Sequence, residues 1–135
     1  MRVLANTNIF IYFVRRLPLD SEIERTLDDP KIERCLSPVS VIELYRKWQS
    51  GDVPDDPDAW LDIALRSWII LPVTVPIAHH SVLWPWSHKD PADRLLAATA
   101  SVEQTELWHT DKVLKKLTGF PQRYFSNKLL KKPSR

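Results

Sequence analysis

Asn6, Glu43, Asp93 and Asp111 are far apart in the chain but occupy similar places in its pattern. Asn6 ends the short apolar run Val3-Leu4-Ala5. Glu43 lies one to two turns into the helix expected after a second run. Asp93 falls in the first turn of the clearest helix, and Asp111 directly follows the run from Glu106 to Thr110. In an open parallel sheet, ligands bind beyond the carboxyl ends of the strands. A chain that returns there with an acid or an amide each time assembles a polar cluster. Converging carboxylates repel each other and raise at least one pKa. A divalent cation removes that conflict. Oxygen-only ligands suit Mg²⁺ or Mn²⁺, ions that orient a water and hold a phosphate.

Each residue alone has a plainer explanation. Asp93 stands three residues after Asp90, where a carboxylate stabilises a helix start. Glu43 stands three after Ser40, again capping-box spacing, or is an exposed helix residue. Asp111 after Thr110 opens a helix, and Asn6 suits a turn. Only the set carries the reading. Trp84 and Trp86 flank Pro85 just ahead of Asp90. They either stack on bases, or pack against the domain or seat a protein partner. His88, two residues before Asp90, either reaches a substrate or is a surface or structural histidine. Arg94 suits a phosphate or an ion pair with a carboxylate. The four histidines show no ligand spacing with a cysteine, which argues against structural zinc. With Gly51 and Gly119 as its only glycines, the chain has no glycine-rich phosphate loop.

The elements that must position these residues alternate between strand and helix. "RVLA" reads as a buried strand, and "NIFIYFVRR" as a helix apolar nearly all round. "SEIERTLDD" has Ser21 and Glu24 in capping-box spacing and stops before Pro30. "IERCLS" is a strand. In the helix "SPVSVIELYRKWQSG", Ser37 suits the N-cap, Pro38 the first position and Gly51 the residue past the end. "DVPDDPDAW" is a polar loop running into the short helix "DAWLDIALRS". "WIILPVT" is a strand weakened by Pro72. Residues 76–86 give a helix and then a loop. In "DPADRLLAATASVEQ", Asp90 caps, Pro91 starts, and Ala92, Leu95, Leu96, Thr99 and Val102 form one face. "ELWHT" is a strand and "DKVLKKLTG" a helix ending at Gly119. This alternation predicts an α/β domain with a mostly parallel sheet covered on both faces.

Bulk properties agree. The chain has 135 residues, enough for one domain with a sizeable core. A net charge of +2 does not announce a nucleic-acid binder. From Lys112 to Arg135, however, every charged residue is basic, which favours phosphate contacts or gives a solvated tail. A single cysteine, Cys35, allows no internal disulfide, as expected of a reducing cytosol. It reads as a small core residue. No apolar segment reaches the roughly 18 residues that span a bilayer, and the N-terminus lacks a signal peptide's apolar stretch. The expectation is a cytoplasmic protein without a membrane partner.

The motifs together resemble the PIN-domain family, in particular the VapC-type toxins of prokaryotic toxin–antitoxin modules. "VLANTNIFIYF" is similar to the family's strand, Asp-Thr-Asn turn and apolar helix. "SPVSVIELYRKWQSG" resembles the second block with Glu43 as its acid. "HKDPADRLLAATA" resembles the third and most specific block, with Asp93 as its acid and Asp90 just ahead. "LWHTDKVL" resembles the fourth, with Asp111 after Thr110. The resemblance implies a PIN-like α/β/α sandwich with a mostly parallel central sheet. It treats residues 1–135 as a single domain with a basic C-terminal segment at about 120–135. It also implies a metal-dependent endoribonuclease, a hydrolase held in check by a cognate antitoxin. By position Asn6, Glu43, Asp93 and Asp111 fill the acidic quartet that holds Mg²⁺ or Mn²⁺ and cuts RNA. Thr7, Asn8 and Thr110 match neighbouring polar positions that order the loop or contact the site.

Asn6 departs from the family, which has Asp there. An amide offers one acceptor oxygen and no charge, and its NH₂ faces a cation badly. One charge pair at about 4 Å contributes about 4 kcal/mol at an effective dielectric of 20, partly offset by ion hydration. The expected result is weaker metal binding and reduced cleavage. Deliberate silencing of a toxic nuclease leaves this residue, and so does natural variation; the other intact blocks favour silencing. The alternatives are a catalytically silent PIN-like module that binds RNA or an antitoxin, and a DNA-directed nuclease with the same quartet. Ile9, Phe10, Tyr12, Phe13, Leu44, Tyr45 and Trp48 exceed what one small core needs. Part of them is expected to form an antitoxin groove or a homodimer face.

Overall fold

The computed structural model describes residues 1–19 and 21–126. Its elements, in chain order, are β1 (Arg2–Ala5), α1 (Thr7–Val14), α2 (Ser21–Asp28), β2 (Glu33–Leu36), α3 (Pro38–Gln49), α4 (Asp58–Ser67), β3 (Ile69–Ile70), α5 (Val75–His80), α6 (Pro91–Glu103), β4 (Glu106–His109), α7 (Lys112–Lys115) and β5 (Gln122–Tyr124). The strands form one sheet in the order β3-β2-β1-β4-β5, and every described pairing is parallel.

Parallel strands need helical crossovers, and these cover both faces. Side chains alternate across a strand, so neighbouring residues of β1 enter different cores. Val3 and Ala5 join Leu36, Trp108, Phe10 and Ile23 on one side. Leu4 joins Cys35, Leu107, Leu96 and Ala100 on the other. Helices α1 to α4 contribute to the first core, and α6 and the residues of α7 to the second. The result is an α/β/α sandwich with β1 at its centre. Burial also pushes the Cys35 thiol up to about 11, which leaves it an inert core group.

Three sequence expectations are corrected. The strand "WIILPVT" shrinks to Ile69–Ile70, because Pro72 has no N–H to continue the ladder. The last helix is one turn, Lys112–Lys115, and the chain then adds β5, too short to give a pattern. On α6 the expected face holds at Leu96 and Thr99, which are buried, but is shifted at its edges. Arg94 is buried, Val102 is partly exposed, and Ala97, Ala98 and Ala100 make the tight contact. The basic tail beyond Ser126 lies outside the described residues. Among the described residues no helix is long and apolar enough to cross a membrane.

Candidate metal centre

From β1 the chain adds β2 and β3 outward on one side, then crosses back to add β4 and β5 on the other, so the strand order reverses between β1 and β4. Ligand clefts form at the carboxyl ends beside such a reversal. Asn6 leaves β1 there, its N–H donating to Trp108 O at 3.0 Å, and Asp111 leaves β4.

Several site residues are also helix caps. Asn6 Oδ1 accepts from Ile9 N at 3.0 Å and starts α1. Asp90 Oδ1 accepts from Ala92 N at 3.0 Å and starts α6 with Pro91. Asp111 Oδ1 accepts from Val113 N at 2.8 Å. Asp111 therefore opens a helix as its plain reading has it, and Asn6 caps one where a turn was expected, yet these roles do not exhaust the side chains. A capping carboxylate uses one oxygen and leaves the other, which for Asp90 and Asp111 has no hydrogen-bond partner among the described residues. For Asn6 the second atom is Nδ2, a donor. Turning the amide to aim its oxygen outward would set Nδ2 against the Ile9 N–H, donor against donor. Asn6 can offer a ligand only the uncharged oxygen that already caps α1, whereas an aspartate keeps a second, anionic oxygen for it.

Glu43 is inside α3, not at its cap, so its spacing from Ser40 is not a capping box. Thr7 Oγ1 donates to Glu43 Oε1 at 2.5 Å and shares a 2.9 Å hydrogen bond with the buried Ser40 Oγ. This ties the start of α1 to α3. Burial, then the charges of Asp93 and Asp90, raise the Glu43 pKa against the Thr7 hydrogen bond. Asp93 is half-buried in the first turn of α6. Burial raises its pKa, with Asp90 and Asp111 adding to the effect and the His88 hydrogen bond opposing it. Raised carboxylates that feel each other mark an excess of negative charge.

The structure brings Asp93, Asp90 and His88 closest: ligand atoms of the three lie within 4.8 Å of one another. Glu43 and Asp111 stand outside that group but within electrostatic reach of Asp93. Asn8 is exposed, and Thr110 is half-buried. His88 was given no settled role by the sequence; its Nε2 lies 2.7 Å from Asp93 Oδ2. Proximity to Asp90 was the one available signal. His109 escaped notice as a site residue altogether. It is fully buried, and its Nδ1 accepts from Asp111 N at 3.1 Å. Nε2 must then carry the proton, which it gives to Gln122 Oε1 at 2.7 Å. Gln122 Nε2 in turn donates to Leu117 O at 2.7 Å.

Arg94 corrects the ion-pair reading, because it meets no carboxylate among the described residues, and its five N–H donors are already engaged, which leaves none for a phosphate. Its five hydrogen bonds run to four carbonyl oxygens: Ser81, Trp84, Trp86 and His88. It therefore folds the α5–α6 loop around itself and fixes the backbone of His88. Trp84 and Trp86 stack within that loop, centroids 4.3 Å apart and ring planes nearly parallel, so packing is their first role.

The chain belongs to the PIN-domain family, whose match spans residues 3–119. No curated protein matches it. Among solved structures it is similar to VapBC2 from Rickettsia felis bound to a DNA fragment from its promoter (TM-score 0.75, 17% identity, 93% of this chain and 100% of the other). It is also similar to DNA-bound VapBC from Salmonella typhimurium (TM-score 0.68, 16% identity, 92% and 98%). A third is a toxin–antitoxin complex from Klebsiella pneumoniae (TM-score 0.60, 20% identity, 81% and 86%).

The donor set fits a hard divalent ion. Carboxylates dominate it, one imidazole borders it, and two of the acids are raised by burial and mutual repulsion.

Proposed function

We propose that this protein is a Mg²⁺- or Mn²⁺-dependent endoribonuclease toxin, weakened by Asn6, and that residues 1–135 form one such domain. The observation that carries the reading is the pair of raised carboxyls Glu43 and Asp93 at the sheet's reversal, Asp93 acting on Glu43, with Asp90 and Asp111 alongside. Glu43, Asp93 and Asp111 would hold the ion, with Asp90 and His88 at its margin. When bound, it supplies Lewis acidity and a water of lowered pKa. The chain's own contributions are distinct. Thr7 occupies one oxygen of Glu43 and leaves the other to accept a proton from water. His88 orients the Asp93 carboxylate. Asn6 keeps its capping role but presents an amide NH₂ where the fourth anionic corner belongs.

The similarity to VapBC structures supports a protein antitoxin as partner; a cytoplasmic setting and a homodimer belong to the same proposal. The docking groove expected from the sequence needs revision, though. Ile9, Phe10, Tyr12, Phe13 and Leu44 are in the core. Of that set Trp48 is partly exposed, Tyr45 is half-buried, and Tyr45 Oη donates to Asp58 Oδ1 at 2.5 Å. The silent-module reading draws on the same Asn6 geometry. Reversion separates the two. With Mn²⁺, the Asn6→Asp chain is expected to cut single-stranded RNA while the chain as it stands does so poorly. A revertant that cuts no better leaves the silent module; one that cuts single-stranded DNA in preference to RNA moves the substrate to DNA.

A further inference from the structure

Beside the acidic centre, on the other side of the α6 start, lies a cavity of about 360 Å³ between α6 and the α5–α6 loop. Val82, Trp84 and Leu95 give it an apolar wall, and Lys89 and Arg94 give it cations. No carboxylate is among the described residues that line it. Its volume falls at the lower end for small-ligand pockets. Its position is fixed by chain neighbours. Lys89 directly precedes Asp90, and Arg94 directly follows Asp93.

The lining is unusual in its charge. Arg94 is 8% exposed, and all five of its hydrogen bonds go to carbonyls, so its positive charge is solvated by dipoles but not cancelled. The exposed Lys89 adds a second cation at the same cavity. The apolar wall is rigid. Trp84 stacks on Trp86 and meets the His80 ring edge-on at 4.8 Å. A side chain at Gly119, whose φ is +103°, would collide with the Trp84 indole, so the close fit needs glycine there. Val82, 70% exposed, leaves the outer wall open to solvent. An apolar wall with two cations and no carboxylate in its lining suits a flat, apolar-faced group that carries an anion.

We infer that this cavity is a nucleotide subsite. It takes the base of single-stranded RNA next to the scissile phosphate against Val82, Trp84 and Leu95, with a flanking phosphate at Lys89. The inference rests on the ribonuclease reading, names its substrate-positioning surface, and commits to RNA. Base contacts of this kind tolerate sequence, because every base has an apolar face.

The test uses the chain as it stands, without divalent metal, and a short single-stranded RNA carrying one 4-thiouridine. Irradiation is expected to crosslink the RNA to the peptide spanning residues 81–95. Val82→Asp and Lys89→Gln each lower RNA affinity about tenfold, the scale of one lost base contact. Arg66→Gln on α4, whose guanidinium pairs with Asp62, leaves affinity unchanged. Both tested side chains are exposed, so the variants keep the fold, and circular dichroism checks this. Crosslinks confined to other peptides overturn the subsite. So do unchanged affinity in both variants, or full displacement by inorganic phosphate at the RNA concentration. Cleavage by the Asn6→Asp chain is scored separately. Crosslinking at 81–95 without any cleavage by that chain retires the ribonuclease reading and keeps the subsite. Cleavage by it without crosslinking there does the reverse.

Discussion

Asp93 and Arg94 are adjacent on α6, and the helix treats their charges in opposite ways. Asp93 faces Asp90, Asp111 and Glu43, with one histidine in contact. Arg94 turns to the other side and is wrapped by four carbonyl oxygens. A direct pair between them would relieve both, yet the structure does not make it. The anion is left with a surplus that an external cation can offset, while the cation is spent on building the loop that holds His88 and the neighbouring cavity. One side of the helix start is poised to bind a cation; on the other, every Arg94 donor is already engaged, and the open charge is that of Lys89. Substitutions on the two sides should therefore fail differently.

The largest expected effect is on the Arg94 side. Arg94→Met removes the donors of five hydrogen bonds and leaves buried carbonyls bare, at about 1–3 kcal/mol for each unsatisfied group. Chemical denaturation should show at least about 3 kcal/mol lost, and Arg94→Lys should not restore it, because an ammonium cannot span the fork. A loss below about 1 kcal/mol would mean that the loop holds its shape without Arg94. On the poised side, Asn6→Asp should leave stability nearly unchanged, since either residue caps α1. Mn²⁺ affinity and RNA cleavage should instead rise about 10–100-fold. Asp93→Asn added to that revertant should cancel the gain. Titration calorimetry and a cleavage assay read both, and an additive double variant would detach position 6 from the centre.

The sheet was legible because its strands are buried on both faces and read as short apolar runs, as Val3-Leu4-Ala5 does. The caps were legible because Ser37-Pro38 and Asp90-Pro91 sit at first-turn spacing. What escaped depends on contacts distant in sequence or on local geometry. Arg94 looks like a phosphate ligand by residue type, and only the fold of residues 81–88 turns it into a structural pin. β5 is three residues long, and without it Gln122 and its role behind His109 are invisible. The quartet was read as a set because the strand-end rule points its members to one edge of the sheet; the structure groups Asp93 with Asp90 and His88 and keeps Glu43 and Asp111 within electrostatic reach.

A smaller effect follows from pH. The Glu43 and Asp93 pKa values are raised in the fold above their ordinary values of 4.5 and 3.8. The folded state therefore holds these protons more tightly than the unfolded chain. Their contribution to stability is fully present below about pH 4 and is lost as pH rises through the raised folded values. Without divalent metal, the difference in melting temperature between the chain and Glu43→Gln should shift in favour of the variant as pH goes from 4 to 8. Mn²⁺ competes with the same protons, so its stabilisation should grow over that range. A Glu43→Gln difference independent of pH would mean that the surplus negative charge around Asp93 is already neutralised by the protein.

The smallest effect concerns how Asp111 is held, and it tests whether the poised side needs a rigid frame of its own. His109 Nδ1 accepts the Asp111 backbone N–H only while Nε2 carries the ring proton, and Gln122 is the group that receives that proton. Gln122→Leu removes this acceptor and also frees Leu117 O. About 1–2 kcal/mol of stability should go with it. Nitrogen-15 spectra of the His109 ring should show the Nε2–H signal broadened or joined by the other tautomer, in which Nδ1 no longer accepts from Asp111. Manganese affinity should then fall a few-fold although no ligand has changed, as when an outer partner of a metal ligand is removed. His109→Asn should keep part of that affinity, because its amide oxygen reaches about where Nδ1 stood, whereas His109→Leu should not. Equal losses in the two variants would mean that the histidine fills space behind Asp111 and does not orient it.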